Sequence, residues 1–244
     1  MNYVAFRRSL LALALVVSTL AVAAQAQDAK PNAAIVPVPR QDKWWMTRHE
    51  SMNARVKQGN VDLILIGDSI THGWESGGKG VWDEFYGKRN AVNLGIGGDR
   101  TQHVLWRLEN GNIDGISPKL AVLMIGTNNS HDNKPEETAA GVKAIVDKLR
   151  TKLPQTKVLI LAIFPRGANN DDPRRQVNVK VNEIISKLAD GKMVQYLDFG
   201  QKFLKEDGTL TKEVMPDLLH LNAASYRVWA EAIEPIVAQT VGAK

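Results

Sequence analysis

The chain has 244 residues, 44% hydrophobic and 23% charged, with a formal net charge of +5. These proportions belong to a globular protein, long enough to bury the core of one domain, and exclude a collagen, a low-complexity tail and a disulfide-stapled miniprotein. With no cysteine, disulfides, thiolate zinc sites, iron–sulfur clusters, a cysteine nucleophile and a bacterial lipid-anchored N-terminus are excluded too.

Residues 1–26 have the pattern of a secretory signal. Arg7 and Arg8 give a positive start, Ser9 to Ala24 is almost wholly apolar, and Ala24-Gln25-Ala26 is a small-x-small cleavage site. The expected mature chain starts at Gln27 and is exported, to the periplasm or the extracellular space. Removing two arginines and no acid lowers the net charge from +5 to +3. With no Lys/Arg run and no recognised binding motif, nothing here predicts a nucleic-acid partner. No other stretch is apolar enough to span a bilayer.

Residues 27–42, with Pro31, Pro37 and Pro39, form a linker, a tether or a strap ahead of a domain over 43–240. A helix is predicted over Lys43–Lys57. Five short apolar runs follow: Asp62–Ile66, Ala91–Leu94, Leu120–Ile125, Lys157–Ile163 and Met193–Phe199. They do not alternate, the mark of strands buried on both faces of a parallel sheet. Helical periodicity fills the gaps at Thr101–Glu109, Pro135–Lys152, Pro173–Ala189 and Asn222–Thr240. Pro135 suits a first helical position and Asp172 an N-cap. Alternating strands and helices predict an α/β fold whose ligands sit at the carboxyl ends of the strands.

The chemically equipped residues collect in those loops. After the first strand comes Gly67-Asp68-Ser69, placing a serine near a helix start, where the dipole favours developing negative charge. It is not the G-x-S-x-G elbow. After the second comes Gly95-Ile96-Gly97-Gly98-Asp99-Arg100, whose amides could face an anion. It does not fit G-x-G-x-x-G, because Arg100 takes the last glycine's place. After the third comes Gly126-Thr127-Asn128-Asn129, with a side-chain amide able to donate to an oxyanion. Before the last helix lies Asp217-Leu218-Leu219-His220, where the carboxylate can hold the imidazole and leave its other nitrogen as a base. Each is weak alone: a cap, two turns and a structural pair. Together they make an activated serine that needs no cofactor.

These four blocks, in this order, resemble the SGNH/GDSL hydrolases. The likeness is strongest to the catalytic alpha subunits of intracellular platelet-activating factor acetylhydrolase, through Asn93–Asp99, His103–Leu108 and Phe164-Pro165-Arg166-Gly167, and runs from about Lys43 to Val237. The resemblance implies a flavodoxin-like three-layer α/β/α sandwich with a five-stranded parallel sheet. It implies a carboxylic ester hydrolase with Ser69 as nucleophile, His220 as general base and acid, and Asp217 as its orienting partner. The oxyanion hole would be the amides of Ser69 and Gly95 with the Asn128 side chain, and a small acyl group would pack on Ile70, Thr127 and Leu219. It implies no metal, a small-molecule ester as substrate, and allows a homodimer. The alpha subunits are cytosolic, whereas this chain opens on an export signal, and many exported members of the wider family deacetylate carbohydrates. An acetylated sugar and an acetyl phospholipid are therefore the two substrate expectations; a longer-chain lipase or lysophospholipase, and a binding module on the same fold, are the alternatives. A metal-dependent hydrolase using Asp217 and His220, and an FMN binder, have weaker support.

His72, His103 and His131 are expected to be structural, Asp68 to cap its loop, and Trp82 and Trp106 to be core or site wall. Trp74 is the candidate for the pocket entrance. Arg166 is poised between an anionic substrate group and a surface ion pair.

Overall fold

The computed structural model describes residues 31–243, so the export signal expected over residues 1–26 lies outside the described residues. Five parallel strands, β1 (Leu63–Gly67), β2 (Ala91–Gly95), β3 (Leu120–Met124), β4 (Lys157–Leu161) and β5 (Val194–Leu197), pair in the order β2-β1-β3-β4-β5. Their register is direct: Ile66 pairs with Leu94 on one side and Leu123 on the other. The principal helices are α1 (Lys43–Lys57), α2 (Ser69–His72), α3 (Lys79–Phe85), α4 (Thr101–Glu109), α5 (Pro135–Lys152), α6 (Pro173–Ile185) and α7 (Ala223–Thr240).

Alternate strand residues feed two cores. Ile64, Ile66, Leu94, Leu123 and Ile160 pack under Trp45 of α1, Val104 and Leu108 of α4, Ile145 of α5 and Val181 of α6. Leu63, Leu65, Val122, Leu159 and Leu161 pack under Ile70 of α2, Phe85 of α3, and Tyr226, Trp229 and Ile233 of α7. A strand buried on both faces has no polar side to display, which is why these segments are apolar throughout.

Three strands stop short of their apolar runs, β3 by one residue and β4 and β5 by two, and two helices lack a periodic signal. Ile163 stays buried but leaves the ladder: its amide donates to Asn182 Oδ1 at 2.8 Å and its carbonyl accepts from Asn182 Nδ2 at 2.9 Å. A side chain of α6 thus replaces the strand partner. The last strand is likewise only Val194–Leu197. Helices α2 and α3 have four and seven residues, too short to show a period.

The proline-rich segment 32–42 lies along the domain as a strap. Ala34 is fully buried, its carbonyl accepts from Thr101 Oγ1 at 2.8 Å, and Asn32 Nδ2 donates to the Glu137 carbonyl at 3.1 Å. Gly141 permits this approach, because a Cβ there would lie 2.8 Å from the Ala34 carbonyl oxygen. Farther along, Arg40 Nη1 donates to the Gly97 carbonyl at 2.7 Å. The order β2-β1-β3 reverses direction at β1, so the loops after these three strands open a crevice at their carboxyl ends.

Candidate active site

Ser69 is the first residue of α2. Asp68 caps that helix, its Oδ1 accepting the Ile70 amide at 3.0 Å. The Ser69 amide is one of the orphan donors of a helix start. A Cβ on Gly95 would meet the His72 amide nitrogen at 2.4 Å, so only glycine lets the end of β2 lie against this turn. Tyr226 of α7 clamps it from below, donating to the Ile70 carbonyl at 2.6 Å.

The structure brings Asp217, His220 and Ser69 into one line. Asp217 Oδ2 is 2.6 Å from His220 Nδ1, and His220 Nε2 is 2.8 Å from Ser69 Oγ. Asp217 Oδ1 also accepts the amides of Leu219 at 3.1 Å and His220 at 2.7 Å. Partial burial works against its charge, but donation from the His220 ring and from these amides holds the Asp217 carboxyl below its ordinary value. The loop bends through Leu218, whose φ of +59° is a left-handed conformation that costs a branched residue energy.

Asn128 follows β3. Its Nδ2 donates to the Asp99 carbonyl at 2.9 Å, which turns the amide and leaves its second hydrogen without a partner among the described residues. Asp99 is in turn fixed inside the protein, accepting from Trp45 Nε1 at 2.6 Å and from Arg107 Nε at 2.8 Å. Asp99 and Arg107 are both fully buried, and Arg107 Nη1 also donates to Asn112 Oδ1 at 2.5 Å. This buried pair was not apparent in the sequence, where an Asp and an Arg eight residues apart carry no mark of burial.

Gly95 differs from its expected role. Its amide is already donated to Asn93 Oδ1 at 2.9 Å, so it is not a free donor. The Gly97 amide is directed at His72 Nδ1 at 3.3 Å. Gly98, at φ +77°, keeps an amide with no partner among the described residues. A Cβ on Gly97 would sit 3.9 Å from Ser69 Cβ, which places this turn beside the serine.

Ile70 and Thr127 are buried, and Leu219 is half-buried against the cluster that contains Ile70. The Thr127 hydroxyl accepts from Arg166 Nη1 at 3.1 Å and Asn178 Nδ2 at 3.2 Å. Asp68 is wholly buried, with Oδ2 unpartnered; burial, reinforced by Asp99 and opposed chiefly by the Ile70 amide, pushes its carboxyl up to about 7. His72 is held below its ordinary value by burial and by Arg48.

Trp74 does not line an entrance. It is fully buried, its ring 4.6 Å from Tyr226 and 5.1 Å from Trp229. The aromatic that faces solvent near the site is Trp44, 49% exposed, with the Arg40 guanidinium 5.2 Å from its ring centroid. Trp44 and His72 line an open cleft of about 820 Å³, together with Asp42, Thr47, Arg48 and Ser51. Among the described residues, no group of three or more His, Asp and Glu side chains is placed to hold a metal ion, and no helix is long and apolar enough to cross a membrane.

Residues 65–228 match the model of the GDSL-like lipase/acylhydrolase family. The chain belongs to that family. It is 38% identical over 202 residues to platelet-activating factor acetylhydrolase IB subunit alpha2 of Rattus norvegicus, covering 81% of this chain and 85% of that protein. To subunit alpha1 of Bos taurus it is 37% identical over 214 residues, covering 84% and 89%. Its fold is shared by a GDSL-like lipase of Bacteroides thetaiotaomicron, at TM-score 0.63 and 16% identity over 79% of this chain and 97% of that one. It is also shared by the acetylxylan esterase Axe2 of Geobacillus stearothermophilus, at TM-score 0.58 and 18% identity over 76% and 96%. The α/β sandwich is thus the SGNH/GDSL hydrolase fold, and the protein is a carboxylic ester hydrolase of this family.

Proposed function

We propose that the protein is an exported serine esterase that removes short acyl groups, acetyl above all, through an acyl-enzyme intermediate. The observation that carries this reading is the line Asp217–His220–Ser69, with both contacts at hydrogen-bonding distance. Ser69 Oγ attacks the ester carbonyl carbon while His220 Nε2 takes its proton; Asp217 holds the imidazole by Nδ1–H. The oxyanion is met by the Ser69 amide, the free hydrogen of Asn128 Nδ2 and the Gly98 amide, which takes the place expected of Gly95. Collapse breaks the ester C–O bond, and His220 returns the proton to the leaving alcohol. Water, activated by the same nitrogen, then hydrolyses the acyl-serine. Ile70, Thr127 and Leu219 bound the acyl group.

The alcohol is an acetylated carbohydrate or an acetyl phospholipid. The Axe2 likeness and the exposed Trp44 at the rim of an open cleft favour the first; the identity to the platelet-activating factor acetylhydrolase subunits favours the second. The signal-like pattern over residues 1–26 supports export to the periplasm or the extracellular space, and N-terminal sequencing of the secreted protein should begin at Gln27. A homodimer is the assembly proposed, and light scattering measures it.

The test is hydrolysis of p-nitrophenyl esters with C2, C4, C8 and C12 acyl chains. The expected kcat/KM is highest at C2. A maximum at C8 or beyond replaces the acetyl reading with a lipase or lysophospholipase.

A further inference from the structure

Arg166 follows β4 in the run Phe164-Pro165-Arg166-Gly167, at the same edge of the sheet as Ser69 and Asn128. It is only 8% exposed, yet no carboxylate among the described residues lies within 4.0 Å of it. Its one anchor is Nη1, which donates to the Thr127 hydroxyl at 3.1 Å and, more weakly, to the Thr127 carbonyl at 3.4 Å. Among the described residues Nε and Nη2 have no partner, and neither is among the enclosed unpartnered atoms. Arg89, another buried arginine, pairs both terminal nitrogens with Glu234 at 2.7 Å.

The position of Arg166 matters as much as its isolation. Thr127 directly precedes Asn128. The next residue along from the arginine, Gly167, donates its amide to the Leu218 carbonyl at 3.0 Å. Arg166 is therefore wedged between the loop of Asn128 and the loop of Asp217 and His220. The field around it is already positive: Arg174, also without an ion pair among the described residues, presses on it, and both arginines press on His131. The acids that act on it, Asp172, Asp68 and Asp217, are committed elsewhere: Asp172 caps α6 through the Arg175 amide, Asp68 caps α2 and Asp217 holds His220. A largely buried guanidinium with spare donors and no counter-ion is ready to receive an anion.

We propose that Arg166 is an anion subsite of the substrate pocket, so that the preferred ester carries a carboxylate or phosphate group close to its scissile bond. This rests on the esterase reading above. The anion can belong to the alcohol or to the acyl group, and two matched pairs of esters separate these. Acetylated glycerol 3-phosphate is compared with glycerol monoacetate for the alcohol side. Mono-p-nitrophenyl succinate is compared with p-nitrophenyl butyrate for the acyl side. In one pair the wild-type enzyme should favour the charged ester in kcat/KM by about tenfold to a hundredfold, the range of a hydrogen bond to a charged group. In Arg166→Gln that preference should fall to within a few-fold of unity, and in Arg174→Gln it should weaken. A preference in the first pair assigns the anion to the alcohol, and in the second to the acyl group. Equal rates in both pairs with wild-type enzyme overturn the subsite, whatever the variants do, and so does a preference that survives Arg166→Gln undiminished. Absence of Ser69-dependent hydrolysis of all four esters overturns the esterase reading itself, and the subsite with it.

Discussion

Asn128 Nδ2 and the Asp99 carbonyl oxygen are 2.9 Å apart, and this single bond aims the amide that follows β3. Asp99 can serve as the fixed point because its own carboxylate is held by Trp45 and Arg107 inside the protein. The donor is thus oriented before any substrate binds, which is the condition for a hydrogen bond to favour the transition state.

Asn128→Ala should therefore lower kcat on p-nitrophenyl acetate by about 10²–10³-fold, the cost of removing one oxyanion donor, while KM moves little. Thermal unfolding of the variant should stay close to wild type, because only the bond to the Asp99 carbonyl is lost. A kcat within threefold of wild type would remove Asn128 from the oxyanion hole.

Asp68 links the site to stability. Its folded carboxyl titrates near 7, well above the ordinary Asp value of 3.8, because burial disfavours its charge. Between those two pH values the folded state holds a proton that the unfolded chain has released. The protein therefore loses stability as pH rises from about 4 to about 7, by at most about 4 kcal/mol from this group. Asp68→Asn keeps an oxygen for the Ile70 amide and removes the titration. Urea midpoints should show the variant gaining on wild type as pH rises across that window and holding the gain at pH 8. Parallel stability curves would contradict the assignment.

Trp44 is half exposed at the rim of the cleft beside Gly97, and Arg40 lies over its ring. If the alcohol is a sugar, the indole offers the flat apolar surface on which a pyranose ring stacks. Trp44→Ala should raise KM for an acetylated xylo-oligosaccharide severalfold more than KM for p-nitrophenyl acetate. Equal changes in the two would take Trp44 out of substrate binding.

Much of this arrangement is legible in the sequence, for physical reasons. Runs such as Leu63–Ile66 and Leu120–Met124 declare themselves because strands covered on both faces must be apolar throughout. Ser69, Asn128, Asp217 and His220 stand out in the sequence because the fold puts chemistry in the loops after strands, where these residues have no packing role to explain them. Which glycine amide is free could not be read: that depends on Asn93 folding back onto Gly95, a side-chain choice within a turn of many glycines. The role of Trp74 was hidden for a similar reason. Proximity to Ser69 along the chain suggested an entrance, but Tyr86, Tyr226 and Trp229 enclose the ring. Asp99 and Arg107 were hidden because charged residues default to the surface, and their mutual pairing, with the bonds from Trp45 and to Asn112, makes burial tolerable.

The central claim is that Ser69 Oγ, activated by His220, forms the covalent acyl intermediate. The most direct measurement is to treat wild-type enzyme and Ser69→Ala with a p-nitrophenyl phosphonate ester and map the adduct by mass spectrometry, alongside p-nitrophenyl acetate hydrolysis. The account predicts one phosphonyl group per wild-type chain, on Ser69, with activity lost in step. It predicts no adduct in Ser69→Ala and a kcat lower by several orders of magnitude. An adduct on another residue, or hydrolysis undiminished in Ser69→Ala, would contradict it.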